Sequence, residues 1–181
     1  VKGSATRDND FIEHIYPATM HNTMMFFTDR GRCYWLKVYD IPEGAKNNKG
    51  RAIQNMLMIE PGDKVNACLC IRKLQDPAFC ENHFVLFCTK NGIIKKTCLT
   101  DYSRPRTNGV IAINIREDDR VIGVSLTNGH NEVVIANRNG RAIRFNEDQV
   151  RTMGRNATGV YSLVLDENSD DEVIGMAVIN D

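Results

Sequence analysis

Residues 84–99 read FVLFCTKNGIIKKTCL, two apolar runs joined at Lys90-Asn91-Gly92. Asn-Gly supplies the positive backbone angles of a tight two-residue turn, so two antiparallel strands are expected here. The chain repeats the pattern at residues 24–38 (MMFFTDRGRCYWLKV) and 133–145 (VVIANRNGRAIRF). Each copy has an apolar run, a polar turn ending in glycine (Gly31, Gly92, Gly140) and a second run carrying basic residues.

The repeat extends on both sides of the hairpin. Ten residues after each turn glycine stands an apolar anchor: Ile41, Tyr102 or Val150. A second glycine then opens a further strand: Gly50 (GRAIQNML), Gly109 (GVIAINI) or Gly159 (GVYSLVL). Ahead of the hairpins are acidic strand starts at Asp10, Asp63 and Asp119, with a truncated fourth at Asp171, spaced 53, 56 and 52 residues apart. A period near 50 with four strands per period is the signature of a propeller or array of four-stranded units. The expectation is an all-β chain. A polar lead-in (1–9) precedes units at about 10–62, 63–118 and 119–170 and the first strand of a fourth at 171–181, together a partial disc. Unit two carries an insertion at 74–82, and only residues 146–153 read as a helical turn.

Composition is that of a globular protein, 42% hydrophobic and 25% charged. No apolar run approaches the ~20 residues of a membrane span, and no export signal is visible, so a soluble chain without a membrane partner is expected. Six cysteines (Cys33, Cys68, Cys70, Cys80, Cys88, Cys98) lie mostly inside apolar strands without ligand spacing, which reads as free thiols in a reducing cytosol. His14, His21, His83 and His130 do not recur at equivalent places. Neither a catalytic set, a metal site nor a phosphate-cradling loop is recognisable.

Net charge is zero, but its distribution is regular. Acidic residues collect where units begin. Around the turn glycines stand Arg30, Arg32 and Lys37; Lys90, Lys95 and Lys96; Arg138, Arg141 and Arg144. Before the second glycines, or beside them, stand Lys46, Lys49 and Arg51; Arg104 and Arg106; Arg151 and Arg155. Stacked units would align these cations along an arc suited to a duplex backbone, which presents phosphates continuously. The competing readings are a solvated basic surface and a propeller-type protein-interaction scaffold.

The segments FFTDRGRCYWLKVYDIP, LFCTKNGIIKKTCLTDYSRPRTNG, IANRNGRAIRF and VRTMGRNATGV resemble the C-terminal domain of the bacterial DNA gyrase A protein. Topoisomerase IV carries a related, more degenerate domain. The resemblance covers about residues 10–181. It implies a β-pinwheel of about six blades when complete, whose basic rim binds and wraps duplex DNA without sequence preference. The parent enzyme, assembled from gyrase A and gyrase B, would use ATP and Mg2+ elsewhere to introduce negative supercoils. This chain itself would be non-catalytic, free of cofactor, cytoplasmic and associated with the nucleoid. The sixteen cations above become the candidate DNA-facing residues.

The family's Gly-rich basic segment Q-R-R-G-G-x-G is not in this sequence, and three units make half a disc. Binding and bending are therefore expected, and a complete wrap is not. Open β edges on a half disc also invite self-association.

Overall fold

The computed structural model describes residues 15–45, 48–166 and 170–180. In chain order its strands are β1 (Thr23–Thr28), β2 (Arg32–Lys37), β3 (Val65–Ile71), β4 (Phe84–Thr89), β5 (Ile93–Cys98), β6 (Val110–Ile111), β7 (Val121–Thr127), β8 (Glu132–Asn137), β9 (Ala142–Asn146), β10 (Val160–Tyr161) and β11 (Val173–Ile179). The lead-in, the strand expected at Asp10 and Lys46 lie outside the described residues.

The three hairpins form where the sequence places them, but their turns span three residues rather than two. In the central one, Gly92 N–H donates to Thr89 O at 3.1 Å, and Ile93 N–H donates to Thr89 Oγ1 at 3.1 Å. Thr28 Oγ1 accepts from Arg32 N in the same way, and Asn137 Oδ1 from Arg141 N. The side chain at the end of the first strand thus closes the loop, and one positive-φ residue, Gly92 at +89°, completes it.

The acidic strand starts have a definite structural role. Asp63 Oδ1 accepts from Arg30 N at 3.2 Å, Asp119 Oδ1 from Asn91 N at 3.0 Å, and Asp171 Oδ1 from Asn139 N at 3.1 Å. Each carboxylate caps the turn of the preceding hairpin, and the strand it opens pairs with that hairpin: β3 with β1, β7 with β4, β11 with β8.

Three antiparallel sheets result, in the orders β3-β1-β2-β6, β10-β5-β4-β7 and β11-β8-β9. In the first two sheets both outer strands come from sequence downstream of the sheet's own hairpin, so adjacent sheets are interlocked by the chain, whereas in the third sheet β11 is added downstream and β9 of the hairpin itself forms the other edge. The strand after Asp171 completes the third sheet, as β3 and β7 complete the first and second.

Alternation along β1 divides its side chains between two clusters. Met25 and Phe27 join Val85, Phe87, Leu99 and Tyr102 between the first two sheets, with the Phe27 and Phe87 rings edge to face at 5.4 Å. Met24 and Phe26 pack with Tyr34 and Leu57 on the opposite side. A third cluster (Leu86, Ile94, Val133, Ile135, Val150, Val173) joins the second and third sheets. Of the anchors, Tyr102 and Val150 are buried whereas Ile41 is 37% exposed.

The insertion in unit two contains a helical turn that the repeat does not announce, α1 (Pro77–Glu81). Asp76 caps it by accepting from Ala78 N and Phe79 N, and Pro77 occupies its first position, the usual arrangement for a helix start. At 146–153 a 3-10 helix forms over Glu147–Gln149, capped by the Asn146 side chain.

Candidate nucleic-acid interface

Fold position sorts the candidate cations into distinct groups. Two are not on the surface. Lys95 is fully buried, and its Nζ donates to the carbonyl oxygens of Ala112 and Arg155, both at 2.6 Å, 5.5 Å from the Phe87 ring centre. Burial lowers its pKa from 10.5 to about 7, assisted by nearby Arg155 and opposed by Asp101. Lys96 is 5% exposed, donates to Glu147 O at 2.9 Å and lies over the Phe84 ring. These two cannot touch an external duplex. Both faces of β5 are covered, so adjacent residues are buried whichever way they point.

Three more cations are committed to carboxylates. Lys90 lies 3.6 Å from Glu172, Arg138 pairs with the same carboxylate, and Arg144 lies 3.2 Å from Glu132. Arg32 is half-buried, with Nη2 donating to Asn108 O at 3.0 Å. Arg30, Lys49, Arg51, Arg141 and Arg151 are exposed.

The remaining candidates converge. Arg104 and Arg106, from the loop before β6, meet Arg155, from the loop before β10, around a cleft of about 740 Å3. Thr100, Ser103 and Gln75 add hydrogen-bonding groups there, and Asp101 is the one carboxylate of the lining. The fold brings these arginines together because β10 pairs with β5, carrying the third repeat's loop back over the second repeat. Lys95 holds the floor through the Arg155 carbonyl.

A second cleft of about 390 Å3 is lined by Lys37, Arg72, Lys73, His21 and Asp76. Leu74 and Gln75 line both clefts, so the two adjoin across the start of the insertion. Arg72 and Lys73 escape a reading based on the repeat because they follow β3 and have no counterparts in the other units. The available signal is a basic pair opening an insertion. Together the clefts place Lys37, Arg72, Lys73, Arg104, Arg106 and Arg155 along one track.

All six cysteines are free thiols. Among the described residues, no group of three or more His, Cys, Asp or Glu could hold a metal ion, and no helix is long and apolar enough to cross a membrane.

The family model described as DNA gyrase C-terminal domain, beta-propeller, matches residues 22–72, 83–128 and 131–180. Each matched segment begins at a hairpin and ends with the strand that closes its sheet. The DNA gyrase A protein of Haemophilus influenzae is 44% identical over 174 residues, covering 93% of this chain and 19% of the relative. That of Salmonella typhimurium is 41% identical over 172 residues, covering 95% and 19%. The chain thus spans about a fifth of the length of these curated relatives.

Two solved structures share the fold. The C-terminal domain of DNA topoisomerase IV superposes with a TM-score of 0.78 at 29% identity, covering 90% of this chain and 48% of that one. The DNA gyrase A C-terminal domain does so with 0.72 at 18% identity, covering 98% and 57%. With the family model matched over most of its length, the chain belongs to the DNA gyrase C-terminal domain, beta-propeller, family.

Proposed function

We propose that this chain is a non-catalytic, sequence-independent module that binds and bends duplex DNA within a gyrase A protein. The observation that carries this reading is the convergence of Arg104, Arg106 and Arg155 on one cleft, beside a second cleft holding Lys37, Arg72 and Lys73. Neither cleft has more than one carboxylate in its lining. Arginine forks suit phosphate oxygens and carry no information about base identity. Bending 20–30 base pairs by 40–90° costs about 1–6 kcal/mol, so several such contacts must act together.

In the parent enzyme the bent segment would be presented for strand passage, with gyrase B supplying ATP hydrolysis and Mg2+ and negative supercoiling as the outcome. A cytoplasmic, nucleoid-associated location goes with that role. The topoisomerase IV likeness supports a second reading, a decatenating paralogue's domain. Relatives at 41–44% identity that are gyrase A proteins favour the first.

The test is fluorescence anisotropy of a labelled duplex of about 40 base pairs at several salt concentrations. Phosphate contacts give a log–log salt slope of magnitude about 3 or more, at about 0.9 per contact. Binding that is absent at low salt, or insensitive to salt, rejects the DNA reading in favour of a protein-interaction scaffold.

A further inference from the structure

The principal cleft differs from the rest of the basic surface in that it does not repeat. At the distance from the turn glycine where the second unit carries Arg104-Pro105-Arg106, the first carries Glu43-Gly44-Ala45 and the third Thr152-Met153-Gly154. Another part of its lining, from Leu74, Gln75, Pro77 and Cys80, belongs to the insertion, which has no counterpart in the other units. A base-blind track along a duplex needs cations at intervals, because the phosphates are spread along the backbone. Here three guanidiniums from two loops meet around one recess instead. Its volume, about 740 Å3, falls within the range of about 300–1,000 Å3 typical of small-ligand sites.

The charge of the recess is unbalanced. Arg104, Arg106 and Arg155 face a single carboxylate, Asp101. Among the described residues, none of the three guanidiniums makes a hydrogen bond or ion pair. Arg155 is half-buried, and its charge assists burial in lowering the pKa of neighbouring Lys95. Two cations held this close inside low-dielectric walls focus a field that an anion relieves. Donors for that anion are in place. Thr100 Oγ1 accepts from Cys98 Sγ at 3.5 Å, which leaves the threonine hydroxyl proton to donate, and the Gln75 amide adds N–H groups. Leu74, Pro77 and Val110 supply an apolar side.

We propose that this cleft seats a compact polyphosphate anion, either free or as the tail of a nucleotide, in place of the duplex. Arg155 meets the anion from the floor, Arg104 and Arg106 from the loop that Pro105 stiffens, and Thr100 and Gln75 donate to the remaining oxygens. Arginine forks pair with phosphate oxygens two at a time, so three of them engage adjacent phosphates of a short chain. A nucleoside, where there is one, lies against the apolar side. The seat for the anion stands without the duplex reading; only the competition rests on it.

The test is titration calorimetry of the 181-residue chain with inorganic tripolyphosphate, ATP and AMP, without magnesium and at constant ionic strength. Tripolyphosphate is expected to bind at one site per chain in the micromolar range, and AMP far more weakly. ATP binding tighter than tripolyphosphate identifies a nucleotide as the source of the phosphates, and ATP binding weaker identifies a free polyphosphate. Arg106→Ala and Arg155→Ala are each expected to weaken tripolyphosphate about tenfold or more, the effect of one charge-assisted contact. Asp101→Asn removes the opposing charge and is expected to tighten binding severalfold, which misfolding does not produce. Arg144→Ala, whose guanidinium pairs with Glu132, leaves it unchanged. No binding of tripolyphosphate, or equal losses in Arg106→Ala and Arg144→Ala, overturns the proposal. A labelled duplex is titrated separately. Duplex binding that tripolyphosphate does not displace at matched ionic strength overturns the shared seat. Tripolyphosphate bound by a chain that takes no duplex upholds the seat and overturns the duplex reading.

Discussion

Lys95 Nζ donates to the backbone carbonyl of Arg155 at 2.6 Å. A lysine that the repeat assigns to the outer rim is therefore an internal strut, and the group it supports is an arginine of the principal cleft. The same ammonium reaches Ala112 O, at the foot of β6. One side chain from the second hairpin thus ties down two loops on which the basic track depends.

The strut has a pH signature. Burial lowers the Lys95 pKa to about 7 from 10.5. Between those values the folded chain binds fewer protons than the unfolded one, so stability rises with pH, by at most about 1.4 kcal/mol per pH unit for one group. Below pH 7 lysine is charged in both states and its burial cost is undiminished. Urea unfolding from about pH 7 to 8.5 should show this rise in the parent chain and a flatter line in Lys95→Met. Above that range buried thiols such as Cys33, whose pKa burial raises, contribute the opposite slope. Parallel lines for the two chains would show that Lys95 does not titrate in the folded state as described.

Cleft arginines and ion-paired arginines should behave differently toward DNA. Replacing Arg104 and Arg106 together with alanine is expected to lower affinity at low salt and reduce the salt slope by about 1.8, that is, about 0.9 for each lost contact. Arg144→Ala, whose guanidinium lies 3.2 Å from Glu132, should leave the slope nearly unchanged. Titration of a labelled duplex at several salt concentrations separates the two. Equal losses would mean that the cations act as a diffuse field and the cleft has no special part.

Much of this architecture is readable from the sequence because it repeats. Turn glycines, acidic starts and apolar runs recur at fixed offsets, and each recurrence has a hydrogen-bonding role, as where Asp63, Asp119 and Asp171 each cap the turn before them. The repeat does not reveal which hairpin a strand joins, because the pairing of β6 with β2 spans about a repeat and a half and leaves no local mark. Nor does it separate rim from core where both faces are covered, which is why Lys95 and Lys96 read as rim residues. Arg72 and Lys73 belong to a feature of one repeat only, so periodicity is blind to them. The cleft itself comes from residues about 50 apart brought together by strand exchange.

The Asp119 cap should contribute measurably to stability. Its carboxylate oxygen accepts from Asn91 N at 3.0 Å and Arg120 N at 2.8 Å. Asp119→Ala leaves both donors without that partner and is expected to cost about 1–3 kcal/mol. Asp119→Asn keeps an acceptor oxygen in the same place and should cost less. Urea midpoints at neutral pH decide the matter, and equal losses would point to a charge effect instead of the two hydrogen bonds.

Gly109 and Gly50 hold equivalent places in the repeat and nearly the same backbone angle, φ +71° and +70°. Alanine at either carries the strain of a left-handed conformation, about 1–2 kcal/mol. Only at Gly109 is the space also occupied: a Cβ would lie 2.8 Å from Cys33 O and 2.7 Å from the Tyr34 ring. Forcing those groups apart typically costs about 1–3 kcal/mol more. Gly109→Ala should therefore be clearly less stable than Gly50→Ala in urea unfolding, with the difference set by the contacts at Gly109. Equal midpoints for the two variants would mean that β2 yields to the added methyl and that only the backbone strain common to both positions is felt.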